Sequence, residues 1–390
     1  MGEGRKLLHN SWSKWTSKCL GGQSEQVRKT EREKSFMTNG AILLEDLIPS
    51  SNGKCNPIRN FSAEELIRAT NNFDESRIIQ ICSLFKQNQI IVDELDDTDR
   101  VTYAMYKGSL DDRPIIVKKF TDSQDDRQII VKKFTKFSSW ESDKVRSFPI
   151  RDIVIATQMS NHKHVLKLLG CCLEFPIPAL VYEYAANGAL NDQGGFGDDE
   201  LLPWKIRLRI SKELANALTY LHTALRRPVI HRDIRPSSIF LDKNFVPKLC
   251  NFSVSITIPL HETHARDDLE DTFGHSDPDS LASGFVTEKS DVYSFGVLLL
   301  VFLTGKKATG TLRLEGKYHS LIRYVEDHVQ NEQVTEIVDP NILREGGGDG
   351  QAQQVEAFLA LALACTQEKG EKRPDMIDVA KELMRIDKSI

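Results

Sequence analysis

The spacing of apolar residues changes near residue 185, and this change constrains the fold more than any other feature. Before it, the chain carries short runs typical of β-strands, at residues 89–93, 101–107, 115–120, 166–172 and 179–184. After it, apolar residues recur at the spacing of a helix face: Ile206, Ile210, Leu214, Ala217 and Leu221. Strands followed by helices predict an α+β protein with a β-rich lobe, an α-helical lobe and a cleft between them.

Composition excludes several classes of protein. The net charge of −5 argues against a nucleic-acid partner. The seven cysteines form no pair at zinc spacing, so we expect reduced thiols, a cytoplasmic protein and no metal. The longest apolar run, from Val297 to Leu303, is far shorter than the ~20 residues that span a bilayer, and it predicts a buried helix.

The chain divides into four predicted parts. Residues 1–35 are polar and basic, which predicts a disordered tail. Gly2 is the residue type that N-myristoylation requires at this position, although Lys6 replaces the usual Ser or Thr. An acylated membrane anchor and a solvated tail therefore remain alternative interpretations of this segment. Residues 36–77 contain short helices, one opened by a capping box of Ser62 and Glu65. The β-rich lobe covers residues 78–184 and the helical lobe residues 185–390.

A stretch from Val229 to Leu241, VIHRDIRPSSIFL, resembles the catalytic loop of protein kinases, H-R-D-L-x-x-x-N. His231, Arg232 and Asp233 match this motif, and the resemblance implies that Asp233 is the base that accepts the proton of the substrate hydroxyl. Ser238 stands in place of the metal-binding Asn, and Arg235 in place of a Lys.

Further motifs follow in the order of a protein kinase. Asn251 and Ser253 replace the Asp and Gly of the metal-binding D-F-G motif. The resemblance also implies that Asp291 caps the catalytic loop from below, and that Arg373 pairs with Asp279 at the end of the activation segment. We therefore expect a bilobal protein-kinase-like fold from about residue 61 to residue 385.

The part that would bind ATP phosphates departs from that pattern. No glycine lies between Ile78 and Lys107, although only glycine lets a loop approach phosphates closely, and bulky Tyr103 stands where a glycine would face them. With both magnesium ligands altered as well, we expect no cofactor; ATP bound weakly, with little or no magnesium, is the alternative.

A tandem repeat leaves two candidates for the phosphate-pairing lysine. Residues 111–121 recur almost unchanged as residues 125–135, so the strand lysine is either Lys118, ten residues after Gly108, or Lys132, twenty residues before Asp152. We favour Lys118. Its helix partner should fall near Ile153, and the neighbouring Asp152 would be rotated by about 100° on a helix. The sequence thus argues against the usual ion pair.

Four segments carry a more specific resemblance: residues 39–48, 56–73, 160–175 and 178–184. They resemble the plant ZRK pseudokinases, which are receptor-like cytoplasmic kinases related to the wall-associated kinases. The resemblance implies an adaptor in plant defence that binds a coiled-coil NLR immune receptor and other receptor-like cytoplasmic kinases, in the cytoplasm or peripherally at the inner face of the plasma membrane. A weakly active Ser/Thr kinase and an ATP-binding switch without turnover remain alternatives.

Overall fold

A computed structural model describes residues 25–50, 58–83, 102–121, 140–197, 201–266, 275–309, 312–314, 317–345 and 348–389. Gly2, Lys6 and the second copy of the repeat, with Lys132, lie outside these ranges. No helix within the ranges is both long enough and apolar enough to cross a membrane.

A six-stranded sheet forms the β-rich lobe. Its strands are β1 Arg59–Asn60, β2 Ile78–Ser83, β3 Thr102–Leu110, β4 Arg113–Thr121, β5 Leu168–Cys172 and β6 Ala179–Glu183. They lie in the order β1-β5-β6-β4-β3-β2, with β1 parallel to β5 and the other pairs antiparallel. Asp111 and Asp112 close the β3–β4 hairpin with φ of 48° and 60°, a left-handed conformation that Asp tolerates better than most residues. The first copy of the repeat therefore supplies β4 and places Lys118 opposite Met105.

Three helices pack on or beside this sheet: α1 Glu25–Ser50, α2 Ala63–Ala69 and α3 Trp140–Met159. The predicted capping box of Ser62 and Glu65 opens α2 and is confirmed. The predicted disorder of the tail is wrong for residues 25–35, which belong to α1. Contacts to the rest of the lobe hold α1 in place, since buried Asn39 donates to the carbonyls of Leu173 and Phe175 at 3.0 and 2.9 Å.

The helical lobe is built around one buried helix. Its helices are α4 Trp204–Thr223, α5 Pro278–Ser283, α6 Glu288–Thr304, α7 Leu321–Gln330, α8 Val334–Ile337, α9 Pro340–Arg344, α10 Gly348–Cys365 and α11 Met376–Asp387. The run from Val297 to Leu303 lies within α6 and is wholly buried, as predicted. A Thr287 capping box starts α6, and Gly305, with φ of 63°, ends it.

Short strands flank the predicted catalytic loop and the segment of residues 250–255. They are β7 Val229–Ile230, β8 Ile239–Leu241, β9 Pro247–Leu249 and β10 Ile256–Thr257. Because β7 pairs with β10 and β8 with β9, the predicted catalytic loop and residues 250–255 are brought side by side. The remaining strands form two small antiparallel pairs, in which β11 Ala265–Arg266 pairs with β12 Phe285–Val286, and β13 Leu312–Leu314 with β14 Lys317–His319. The predicted α+β architecture of a β-rich and an α-helical lobe is confirmed.

Candidate active site

Asp291 of α6 holds the catalytic loop from below. Its carboxylate accepts from the backbone N–H groups of His231 and Arg232 at 2.8 and 2.9 Å, and His222 Nε2 lies 2.8 Å from the same group. Arg232 has a φ of 67°, a strained conformation that these two hydrogen bonds stabilise. The predicted cap is present in the structure.

His231 joins the catalytic loop to the segment that contains Asn251. Its Nε2 lies 3.1 Å from the Cys250 carbonyl oxygen, and its ring packs edge-on against Phe252 at 5.1 Å. Burial lowers the pKa of His231, so the imidazole is neutral near pH 7 and can donate to that carbonyl. This histidine therefore orients the two loops relative to each other.

Lys118 forms a buried ion pair with Asp152 of α3. Lys118 Nζ lies 2.7 Å from Asp152 Oδ2, and both side chains are fully buried. The expectation that this pair is absent is wrong. The count along the sequence had placed Ile153 at this position, but Ile153 is buried in the hydrophobic core and turns Asp152 toward the sheet. An error of one residue on a helix is a rotation of about 100°, which is what separates the two assignments.

Both oxygens of Asp152 have further donors. Oδ1 accepts from the Tyr182 hydroxyl at 3.0 Å and from the Phe252 N–H at 3.2 Å, and the Ser253 hydroxyl lies 3.0 Å from Oδ2. Burial and the Asp152 charge raise the pKa of Tyr182 well above its usual value, so its hydroxyl stays protonated and donates. Lys118 and these donors thus bond to both oxygens of the buried carboxylate.

Asn251 lies between Lys118 and Asp233. Its Oδ1 accepts from Lys118 Nζ, and its Nδ2 donates to Asp233 Oδ2. Lys118 Nζ also donates to Ser253 Oγ at 2.9 Å and lies over the Tyr103 and Phe120 rings, 4.1 and 4.7 Å from their centroids. Tyr103, which stands where a glycine would face the phosphates, thus covers the lysine.

Asp233, the candidate base, is surrounded by donors. Its Oδ1 lies 2.7 Å from Arg235 Nε, and its Oδ2 accepts from Ser238 Oγ at 2.7 Å as well as from Asn251. Burial acts to raise the pKa of Asp233, but the Arg235 guanidinium, followed by the hydrogen bonds from Ser238 and Asn251, outweighs burial and holds that pKa below its usual value. A carboxylate with a lowered pKa and occupied oxygens is a poor proton acceptor.

The donor set fits a magnesium–ATP complex poorly. Magnesium prefers anionic oxygens, whereas the candidate ligands are a neutral amide and a hydroxyl that already bond to Lys118 and Asp233. Across the described ranges, no three His, Cys, Asp or Glu side chains come together as a group that could hold a metal.

Comparison with known proteins decides the family. Residues 104–383 match the family model described as protein tyrosine and serine/threonine kinase. The chain belongs to the protein kinase family.

Several relatives narrow this assignment within the kinase family. In Arabidopsis thaliana, the chain is 41% identical to non-functional pseudokinase ZED1, over 90% of this chain and 96% of that protein. It is 40% identical to serine/threonine-protein kinase ZRK1, over 95% and 97% respectively. Wall-associated receptor kinase-like 1 is 36% identical over 91% of this chain, which spans 43% of that receptor. The predicted resemblance to ZRK proteins is confirmed.

The kinase-like ion pair at the end of the activation segment differs from the prediction. Arg373 Nη2 lies 2.6 Å from Asp277, whereas Asp279 accepts from the Gly370 N–H at 2.8 Å. The predicted pairing of Arg373 with Asp279 is wrong, because Asp277 caps the N-terminus of α5 and its carboxylate points at the arginine. An Asp directly before Pro278 is a typical helix-cap signal that identifies this residue.

The structure brings most of the candidate site residues together. His231, Asp233, Ser238, Asn251 and Lys118 share one buried network, with Arg232 in the same loop. The sequence spacing disfavours Asp152 as the partner of Lys118, and its role follows only from the rotation of α3.

Proposed function

We propose that this chain is a catalytically impaired pseudokinase that acts as a protein-binding adaptor. One observation carries the first half of this proposal: Asn251 links Lys118 to Asp233 directly. In an active kinase, the lysine pairs with phosphates, the residue at 251 binds magnesium and the aspartate accepts a proton. Here Asn251 instead bonds to both the lysine and the aspartate.

Catalytic impairment follows from the chemistry of phosphoryl transfer. That reaction depends on positioning and on neutralising phosphate charge, since the protein does little covalent chemistry. Removal of one preorganised electrostatic contact typically lowers the rate by about 10²–10³. The altered residues at positions 238 and 251, together with the missing glycines, therefore support a rate of phosphoryl transfer that is several orders of magnitude lower than that of an active kinase.

The adaptor role rests on the family. The relatives ZED1 and ZRK2 are named non-functional pseudokinases, and each matches most of this chain. We infer that this chain likewise works by binding, with an NLR immune receptor and receptor-like cytoplasmic kinases in plant defence as its partners. It would act in the cytoplasm or peripherally at the plasma membrane, through its partners or an acylated N-terminus.

A phosphate-transfer assay tests the catalytic half. Purified full-length protein is incubated with γ-labelled ATP, magnesium and a general Ser/Thr substrate, beside the Asp233→Ala variant. We expect the two proteins to give the same background. Robust transfer that D233A abolishes would overturn the proposal.

Co-purification tests the adaptor half. The tagged protein is recovered from plant tissue and its partners are identified by mass spectrometry, with an unrelated kinase domain as control. Enrichment of an NLR receptor and of receptor-like cytoplasmic kinases is the expected result. Recovery of neither class would contradict the adaptor role.

A weak Ser/Thr kinase is the second candidate. The Lys118–Asp152 pair favours it, because an active kinase needs such a pair, and the relative ZRK1 is named a serine/threonine-protein kinase. Thermal shift distinguishes the readings: stabilisation by ATP only with magnesium supports the kinase, and stabilisation by ATP alone supports a switch without turnover. If the protein is an ATP-binding switch, Lys118→Ala should remove the rise in melting temperature that ATP causes. Lys132→Ala is tested in parallel.

A further inference from the structure

Side chains of the β-rich lobe cross the cleft and bond to loops of the helical lobe. Lys118 of β4 donates to Asn251 and Ser253, as described above. Farther out, Gln80 Nε2 of β2 donates to the backbone carbonyl of Ser237 at 2.8 Å. These bonds join residues 133, 135 and 157 positions apart in the chain, so they fasten separate parts of the fold together.

We propose that these four residues, Gln80, Lys118, Asn251 and Ser253, form an interlobe latch that holds the cleft closed without nucleotide. In a kinase, nucleotide and metal bridge the lobes; here the chain supplies the bridge itself. This inference goes beyond the proposed function, because a latched cleft is a property of the fold whether or not any phosphate is transferred.

The amide of Asn251 is the central part of the latch. One side must accept from the Lys118 ammonium and the other must donate to the Asp233 carboxylate, and a side-chain amide does both. An aspartate here could accept but could not donate. It would also add a third carboxylate to Asp152 and Asp233 in a fully buried site, where like charges are costly.

Gln80 places the second bridge at the outer edge of the sheet. Strand β2 is the last strand in the sheet order, and alternation along it exposes Ile79 and Ile81 while Gln80 and Cys82 face the cleft. Ser237 belongs to the turn directly after Arg235, which neutralises Asp233. The edge strand is therefore tied to the same loop that carries the candidate base.

A closed cleft without nucleotide has a consequence for binding. Partners of this protein meet one arrangement of the two lobes, whatever the cellular level of ATP. A kinase whose lobes close on nucleotide presents two arrangements. The latch thus makes the outer surface of both lobes independent of nucleotide.

Hydrogen–deuterium exchange on the full-length protein tests the latch. Peptides that cover residues 78–82 and 235–239 should be protected without nucleotide, and magnesium–ATP should leave their rates unchanged. Asn251→Asp should raise exchange in both peptides by about tenfold or more, and Gln80→Ala by about fivefold, as expected for one hydrogen bond. Asn244→Asp, the same change at an exposed turn position, is the matched control and should stay within about twofold.

Clear outcomes would overturn the latch. Rapid exchange of both peptides in the unaltered protein, or protection that arises only with magnesium–ATP, contradicts it. If N251D unfolds the whole protein, the Q80A variant provides the test instead. Faster exchange in residues 235–239 of Q80A, at an unchanged melting temperature, supports the latch, and unchanged exchange in that peptide refutes it. The phosphate-transfer assay is separate, so failure of the latch and failure of the proposed function are distinguishable.

Discussion

Replacement of Lys118 by Met is the sharpest test of the buried ion pair. The substitution keeps the length and apolar stem of the side chain but removes its charge, which leaves the Asp152 carboxylate buried without a cation. Removal of one partner of a buried pair typically costs about 3–5 kcal/mol. Because Tyr182 and the Phe252 N–H still donate to Asp152, we expect the lower end, about 3 kcal/mol.

Thermal and urea unfolding of the purified protein measure this loss. For a domain of this size, whose unfolding entropy is about 2.1 cal/mol/K per residue, about 3 kcal/mol corresponds to a fall in melting temperature of about 4–5 °C. A double-mutant cycle with Asp152→Leu isolates the pair, because K118M and D152L together should cost clearly less than the sum of the two single changes.

The tandem repeat provides a matched control for K118M. Lys132→Met makes the same substitution in the same local sequence, IIVKKF, and should change stability by less than about 0.5 kcal/mol. If K132M causes the loss and K118M does not, the second copy carries the pair. If neither destabilises the protein, no buried lysine–carboxylate pair exists and the reasoning fails.

Three further predictions concern the helical lobe. Asp277→Asn should destabilise the protein by about 3 kcal/mol because it leaves Arg373 buried without its anion, whereas Asp279→Asn should cost about 1 kcal/mol in the same urea assay; equal losses would contradict the assignment. Gly296→Ala should lower the melting temperature, at a cost of about 1–3 kcal/mol, because its Cβ would lie 2.7 Å from Cys365 Cβ; an unchanged melting temperature refutes that packing. Burial, and secondly the positive charge of Arg235, lower the pKa of His275 from 6.5 to about 4. Because this histidine is protonated at a higher pH in the unfolded chain than in the folded protein, the free energy of unfolding should fall as the pH drops from 6.5 to 4. The urea midpoint of the His275→Phe variant should depend less on pH over that interval than the midpoint of the unaltered protein. An equal dependence would show that His275 is not the source of the pH effect.

Motifs with fixed spacing allowed much of the site to be predicted from sequence. The catalytic loop, its cap by Asp291 and the altered residues Ser238 and Asn251 all follow from such motifs, and the described contacts place them together. The strand lysine was narrowed to two positions because the repeat copies its sequence; the described strand β4 contains Lys118.

Other contacts depend on geometry that sequence spacing does not contain. The pairing of Asp152 depends on the rotation of α3, which core packing sets. The hydrogen bond from Gln80 to the Ser237 carbonyl joins strand β2 to a turn of the helical lobe, and no sequence motif relates these two segments. The start of α1 does not follow from the sequence, because residues 25–35 show little apolar periodicity. Polar contacts hold this part of the helix instead, such as the one between Arg32 and Glu64 of α2 at 3.0 Å.

The altered residues of the site complement one another. Asn251 donates to Asp233, Ser238 donates to the same carboxylate, Arg235 pairs with its other oxygen, and Ser253 accepts from Lys118. Each buried polar group left without a partner would cost about 1–3 kcal/mol, so isolated substitutions here would destabilise the protein. Their mutual satisfaction indicates that these polar groups form a structural core between the lobes.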